Sequence, residues 1–219
     1  MSTQMVDVKA QLAAELAQLS KTVAPPSGHR ISLKGKTFTF PDGNSSPGPI
    51  DAVVLDWISI NTYYKGAYNP QKVEAPSCFA VSKVIEDLVP STNCSDPQSE
   101  GCEGCQWNEW GSAPGGGRGK ACKNQIRIVV VAPDAKSDTP PWTIDLAPSS
   151  VSAFTNYVNA CGGAGMLPIQ TRVSIDFDAN QSYPKLTFQD PEPLADEVVA
   201  TMFELRNGAT PLLEKEPGT

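Results

Sequence analysis

Residues 50–64 read IDAVVLDWISINTYY, the longest run in the chain with the composition of a β-strand. Successive side chains of a strand point to opposite faces, so this run would bring two sets of residues to two surfaces. One face would carry Val53, Leu55, Trp57, Ser59 and Asn61, and the other Val54, Asp56, Ile58, Ile60, Thr62 and Tyr64. Because both faces are mainly apolar, we expect this strand at the centre of the sheet.

Shorter strand and helix patterns lie around this run. Alternating or β-branched segments predict strands at 31–33, 37–40, 77–84, 123–131, 142–146, 168–178 and 183–189. One helix is predicted to begin at 148–150, with Ser149 or Ser150 as its N-cap, and to end at Gly162 and Gly163. A second helix is predicted at 192–206, and we expect residues 207–219 to be disordered.

This order of elements predicts a mainly β fold. Roughly seven short strands with one helix between them, and no regular alternation of strands and helices, favour a small Greek-key barrel over a parallel sheet. Among such barrels, the OB-fold is the one that most often binds single-stranded nucleic acid, on its strands 2 and 3. We therefore predict an OB-fold-like domain at 25–190, followed by a C-terminal helix and acidic tail at 191–219.

An amphipathic helix or arm is predicted before this domain, at 1–24. Apolar side chains recur there at helical spacing, at Met5, Val8, Leu12, Leu16 and Leu19. This stripe would either dock on the domain or mediate self-association with a second copy. The first 16 residues lack the apolar segment of a secretory signal, and no apolar run reaches the ~20 residues needed to cross a bilayer. We expect a soluble protein of the cytoplasm, without a membrane partner.

Charge is distributed unevenly along the chain. The formal net charge is −7, and residues 190–219 hold seven acids against two basic residues, a net charge of −5. By contrast, residues 111–131 contain four cations and no acid. A basic segment and an acidic tail on one chain indicate a groove for a polyanion and a tail that competes for that groove or recruits a partner.

Four cysteines mark the segment 94–122, with the spacing C-x7-C-x2-C-x16-C: Cys94, Cys102, Cys105 and Cys122. Four thiolates satisfy a tetrahedral zinc ion, and the two-residue spacing of the middle pair lets one turn present both sulfurs to one metal. A closed four-sulfur shell predicts a structural zinc ion that orders a loop at 90–124. Disulfides and a redox pair at Cys102 and Cys105 are the alternatives, and Cys78 is expected to be a buried structural thiol.

The run CxxCxxNxWGSxxxxGxGKACKN at 102–124, with NTYYKGAYNP, PSCFA and YPKLTFQ elsewhere, resembles a family of tailed-phage zinc-containing single-stranded DNA-binding proteins. The resemblance covers about residues 50–190. It implies an OB-fold that coats single-stranded DNA in phage replication or recombination, within the host cytoplasm. It also implies that the four cysteines above are the zinc ligands. Some phage proteins of this class recruit replication proteins through an acidic tail with a terminal aromatic residue, which this chain lacks.

Aromatic and basic residues near the central strand and the cysteines are the candidate nucleic-acid contacts. Single strands are bound by rings that stack on bases and by cations that pair with phosphates. The candidate rings are Trp57, Tyr63, Tyr64, Tyr68, Trp107 and Trp110, and the candidate cations are Lys65, Lys72, Arg118, Lys120, Lys123 and Arg127.

Catalysis has little support in the sequence, and we predict no catalytic residue. The chain has one histidine, His29, and the glycine run at 115–119 lacks the other residues of a phosphate-binding loop. The predicted function is non-catalytic binding of single-stranded DNA. The alternatives are a zinc-stabilised adaptor for replication proteins and a metalloenzyme acting on nucleic acid, which a four-cysteine shell disfavours because it leaves no open position.

Overall fold

The computed structural model describes residues 28–66, 74–115 and 117–218. Within these ranges the strands are β1 (Phe38–Thr39), β2 (Ser45–Ser46), β3 (Ile50–Tyr63), β4 (Cys78–Ser82), β5 (Lys123–Val131), β6 (Trp142–Leu146), β7 (Thr171–Phe177) and β8 (Leu186–Pro193). The helices are α1 (Pro148–Gly163), α2 (Asp196–Asn207) and α3 (Thr210–Leu213), with short 3-10 helices at Ile85–Asp87, Gln106–Asn108 and Pro168–Gln170. The helix predicted at 1–24, Tyr68 and Lys72 lie outside the described residues.

The fold is mainly β, as the sequence predicts, and β3 is its central strand. Along one edge β3 pairs with β5, and along the other it pairs first with β7 and then with β4. All of these pairings are antiparallel, and the six-stranded sheet has the order β6-β5-β3-β7-β8, with β4 beside β3. Within the described ranges no ladder joins β6 to β8, so hydrogen bonds do not close the sheet there.

A β-bulge in β3 changes which of its residues share a face. The register with β5 shifts between Val54 and Asp56, so Leu55 is an extra residue in the strand. The simple alternation predicted from the sequence is therefore wrong across this point, because one extra residue reverses the phase of every side chain after it. One core receives Ala52, Val54 and Trp57, and the other receives Val53, Leu55, Ile58 and Ile60.

Two apolar cores cover the two faces of the sheet. The larger core lies between one face of the strands and α1, whose Phe154, Tyr157 and Cys161 are buried there. The second core lies between β3 and β5 on one side and the C-terminal helices on the other, where Met202 and Leu213 are buried. These two layers explain why the central strand is apolar on both faces.

The C-terminal segment is ordered in the structure, which corrects the prediction of a disordered tail. Leu213 is 1% exposed, and the carboxylate of Glu216 accepts hydrogen bonds from Ser91 and Asn93. Two adjacent leucines give this short segment enough apolar surface to pack on the sheet. No helix in the described part of the chain has both the length and the apolar character needed to cross a bilayer.

Two helix starts also differ from the prediction. Helix α1 begins at Pro148 with Ala147 at the N-cap, and its Ser150 hydroxyl accepts a hydrogen bond from the Leu186 amide instead of capping the helix. Helix α2 begins at Asp196, four residues later than predicted, because β8 continues to Pro193 in its pairing with β7.

Candidate functional site

The segment between β4 and β5 carries the cysteines and is held to the sheet by backbone hydrogen bonds. The amides of Ser91 and Asp96 donate to carbonyls of β4 and of the residue before it, and the amide of Cys122 donates to Trp107. In the described part of this segment the regular elements are two short 3-10 helices, so its own regular structure contributes little to its order. Its fixed shape depends on side-chain contacts around the cysteines.

The cysteines of this segment gather around one small cavity, and Cys78 joins them. Cys78, Cys102, Cys105 and Cys122 line a cavity of about 10 Å³, roughly the space of a single atom. Cys94 packs against a small buried cluster that contains Cys78 and Cys122. All six cysteines of the chain are free of disulfide bonds in the structure. Five of the six thiols therefore meet in one place, although they span 45 positions of sequence from 78 to 122.

Burial raises the pKa of three of these thiols. It brings the pKa of Cys78 to about 11, an effect that a hydrogen bond from the Gln98 backbone opposes and that the neighbouring Cys94 thiol increases. Burial and the nearby Cys102 and Cys105 raise the pKa of Cys122 to about 12. Desolvation disfavours each isolated thiolate, so a compensating positive charge would stabilise several thiolates together far more than any one alone.

The donor set suits a soft divalent metal such as zinc. As the side chains are placed, no group of three or more His, Cys, Asp and Glu in residues 28–66, 74–115 and 117–218 already has metal-holding geometry. Four of the residues that line the cavity are nevertheless cysteines, and cysteine thiolates are the ligands that structural zinc sites use. The indole nitrogen of Trp107, also in the cavity wall, is a buried donor without a partner. Such a donor fits beside a metal-thiolate cluster, which remains anionic overall.

Asparagine side chains connect the cysteines to the basic part of the segment. The Asn61 amide hydrogen-bonds the Cys102 thiol and opposes the rise in its pKa caused by burial. Asn61 accepts a hydrogen bond from Asn124 at 2.7 Å, and Asn124 also donates to Asn108 at 2.9 Å. The ammonium of Lys120 donates to the same Asn108 oxygen at 3.2 Å. This series of hydrogen bonds links the cavity to Lys120, a cation of the candidate nucleic-acid surface.

Tyr63 and Trp107 pack against each other, so we remove both rings from the candidate contacts with nucleic acid. Their rings stack on each other with centroids 5.1 Å apart and planes 26° apart. Tyr63 is buried, and both residues pack with the cysteines. Trp57 is also removed, because its ring packs edge-on against Phe154 in the larger core. Successive side chains of a strand point to opposite faces, which explains why Tyr63 is buried whereas Tyr64 is exposed.

Arg127 is likewise buried, and the expectation that it pairs with phosphate is corrected. It is 7% exposed, and its Nε donates to Asp145 at 2.7 Å. Its Nη1 donates to backbone carbonyls of the C-terminal segment, including those of Leu213 and Lys215. The guanidinium is therefore held largely by the protein's own acceptors, which leaves little of it exposed to a phosphate.

The remaining predicted contacts lie on the surface of the cysteine segment and at the end of β3. Trp110 is 78% exposed, and the Lys120 ammonium lies over its ring, 5.5 Å from the centroid. Arg118 and Lys123 are exposed, and the Lys123 ammonium donates to the Lys120 carbonyl. Tyr64 is exposed, whereas exposed Lys65 is hydrogen-bonded to Asp96 at 3.0 Å. The cysteine segment therefore has an exposed ring at Trp110, exposed cations at Arg118 and Lys123, and a half-buried cation at Lys120.

A groove beside the C-terminal segment was not predicted from the sequence. It has a volume of about 610 Å³ and lies on the outward side of β3, β5 and β6, where the C-terminal residues 215–218 form one wall. Arg30 and Tyr64 also line it, and the Arg30 side chain is 67% exposed while it pairs with Asp145 at 3.4 Å. Arg30 lies in a stretch of the sequence without a motif, so only its pairing with β6 reveals its position.

The ring of His29 contacts the Pro141 carbonyl at 2.8 Å. The Asp178 carboxylate accepts hydrogen bonds from the backbone amide of Asn180 at 2.9 Å and from the Lys185 ammonium at 3.0 Å. These two bonds lower the pKa of Asp178. Both residues therefore have structural partners.

Comparisons of the chain with models of protein families, with curated proteins and with solved structures found no significant match.

Proposed function

We propose that this protein binds single-stranded DNA without catalysis, through the exposed surface of its cysteine segment. The observation that carries the proposal is Trp110, whose highly exposed ring lies beneath the Lys120 ammonium. An exposed indole offers a face on which any base can stack, and neighbouring cations pair with the phosphates on either side. Arg118 and Lys123 supply two further exposed cations in the same segment.

The strand order supports an OB-fold for the domain. Antiparallel strands in the order β6-β5-β3-β7-β8, with a helix between β6 and β7, correspond to OB strands 3-2-1-4-5 with the usual helix between strands 3 and 4. In this correspondence the described residues between β3 and β5, which include β4 and the cysteine segment, occupy the connection between strands 1 and 2. That loop is one of the two through which OB-folds bind oligonucleotides, so the proposed surface lies where this fold binds its ligands.

The proposed cofactor is one structural zinc ion held by cysteines. Its chemistry would be to bind thiolates and to close the cysteine segment into one shape, since four sulfur ligands leave no position for a substrate. The resemblance to phage proteins supports a role in coating DNA during replication or recombination. The described C-terminal segment is packed against the sheet, so recruitment of replication proteins through it would require its release.

A zinc-stabilised adaptor for other proteins is the second candidate. Three apolar side chains within six positions are exposed just before the cysteines, at Val84, Ile85 and Val89. Clustered exposed apolar residues are typical of protein-binding surfaces. This function predicts capture of replication proteins that survives nuclease treatment and is lost when these three residues become polar.

Binding of a fluorescent 30-nucleotide oligo-dT, compared with a duplex of the same length over a salt series, tests the proposed function. We expect preference for the single strand, little dependence on sequence and a steep loss of affinity with salt. Phe203→Ala is the matched control for Trp110→Ala, because Phe203 is an exposed ring on α2. The absence of binding at low salt, or equal losses in both variants, would contradict the proposal.

A further inference from the structure

Five thiols lie at the candidate metal centre, whereas a closed tetrahedral site uses four. The sequence spacing alone selects Cys94, Cys102, Cys105 and Cys122. The cavity selects a different set, because its wall contains Cys78 and not Cys94. The choice between Cys78 and Cys94 decides whether the metal would connect the segment only to itself or also to the sheet.

The position of Cys78 is fixed by the strand that it begins. It is the first residue of β4, its Cα is the partner of Tyr63 in the ladder with β3, and its side chain is buried. The Tyr63 ring stacks on Trp107, which also lines the cavity. A ligand at this position is therefore held in place by backbone pairing, which favours a preorganised metal site.

The sulfur of Cys94 is already engaged by the backbone of Phe79. It lies 3.1 Å from the Phe79 nitrogen, from which it accepts a hydrogen bond, and 3.2 Å from the Phe79 oxygen. A carbonyl oxygen can only accept, so the second contact requires a hydrogen on the sulfur. A metal-bound thiolate has no such hydrogen, and an anionic sulfur would repel the carbonyl oxygen. These contacts suit a thiol that fixes the segment to β4.

We propose that Cys78, Cys102, Cys105 and Cys122 are the zinc ligands and that Cys94 remains a thiol bonded to the Phe79 backbone. On binding zinc, each of the four ligating thiols releases its proton to solvent and forms one bond to the metal. The inference rests on the zinc centre of the proposed function and does not depend on DNA binding. Its consequence is that zinc joins the cysteine segment to β4, and through β4 to the central strand.

Zinc content of DNA-free protein, with cobalt substitution as a second readout, tests this assignment. Wild type, Cys78→Ser and Cys94→Ser are compared, with Cys161→Ser as control because Cys161 is buried in the larger core, where its partner is Thr171. We expect about one zinc per chain in wild type, Cys94→Ser and Cys161→Ser. We expect Cys78→Ser to lose affinity by about 100-fold or more, since changes even beyond the ligands cost 10–100-fold.

Cobalt reports how many sulfurs bind the metal, since its thiolate charge-transfer absorption scales with their number. A comparison of the variants then shows which sulfurs these are. The cobalt spectrum of Cys94→Ser should match wild type, and that of Cys78→Ser should lose intensity. Should Cys78→Ser fail to fold, alkylation of wild type followed by mass spectrometry replaces it. Zinc should then slow alkylation of Cys78, Cys102, Cys105 and Cys122 by about tenfold or more and leave that of Cys94 unchanged.

Loss of zinc from Cys94→Ser, retention of zinc by Cys78→Ser, or zinc protection of Cys94 would overturn the assignment. Wild type without zinc would overturn it as well. Each of these results leaves the proposed binding of single-stranded DNA standing if the same protein binds oligo-dT, although wild type without zinc would also remove the proposed cofactor. Conversely, if zinc-loaded wild type does not bind oligo-dT, the proposed function is contradicted and the assignment of the zinc ligands still stands.

Discussion

The ring of Tyr63, at the end of the central strand, stacks on the ring of Trp107 in the cysteine segment, with centroids 5.1 Å apart. This contact joins a residue of the sheet to a segment that has almost no regular structure of its own. We expect Trp107→Ala to lower the free energy of unfolding by about 3 kcal/mol, near the lower end for loss of a large aromatic side chain, because Trp107 is only partly buried.

A double-mutant cycle between Tyr63 and Trp107, measured by urea unfolding, should give a coupling energy of about 0.5–1.5 kcal/mol. Trp107→Phe is the control that keeps a ring at this position. Additive effects of the two alanine substitutions would show that the rings do not interact in solution.

Arg127 should contribute to stability and not to DNA affinity. Arg127→Ala removes a buried cation from Asp145 and from the carbonyls of the C-terminal segment, and we expect a loss of about 3 kcal/mol. Residues 210–218 should become sensitive to protease, as measured by limited proteolysis. Arg30→Ala, which removes the exposed partner of the same aspartate, should cost less than about 1 kcal/mol. Equal losses in the two variants would contradict this prediction.

Trp110 and Lys123 should affect DNA binding in different ways. Loss of one stacked base contact costs ~1–3 kcal/mol, so Trp110→Ala should weaken oligo-dT binding about tenfold or more without changing its salt dependence. Lys123→Ala should reduce the magnitude of the salt slope by about 0.7, the value for one phosphate contact on a single strand. Lys136→Ala, beyond the opposite end of β5, is the control. An unchanged slope for Lys123→Ala would remove it from the interface.

Removal of zinc by a chelator should loosen the cysteine segment and leave the sheet folded. The two large cores contain none of the five clustered cysteines, whereas the small clusters around those cysteines contain few apolar side chains. Hydrogen exchange should therefore accelerate across 85–122 and remain slow in β3 and β5. Cooperative unfolding of the whole domain on chelation would show instead that the metal stabilises the entire fold.

Acidification should release the C-terminal segment through Glu216. Hydrogen bonds from Ser91 and Asn93 hold the pKa of this carboxyl below its ordinary value of 4.5. A carboxyl with a lowered pKa stabilises the folded state above its unfolded pKa, and this stabilisation is lost as the pH falls through the folded pKa. Protection of residues 214–218 against exchange should decline below about pH 4.5 in wild type. Glu216→Gln should show weaker protection at neutral pH and a smaller dependence on pH.

The sequence predicted much of the fold because hydrophobic periodicity is a local property. The central strand, β4, β5, β6 and α1 lie within a few residues of their predicted positions. The bulge at Leu55 was missed, since the extra residue depends on the pairing with β5 and leaves no mark in the composition of the strand. The order of the C-terminal segment was missed for a similar reason, because Leu213 is buried only against a distant strand.

For the site, the sequence determined the chemistry of the ligands: a close pair of cysteines, two further cysteines, two tryptophans and a run of cations in one segment. Tertiary structure decided which of these residues meet and which are exposed. Cys78 reaches the cavity because antiparallel pairing brings β4 alongside β3, and Trp110 is exposed whereas Trp107 is stacked on Tyr63. The sequence gives the type of each residue. Burial and proximity arise from contacts between segments that lie far apart in sequence, and local patterns do not encode such contacts.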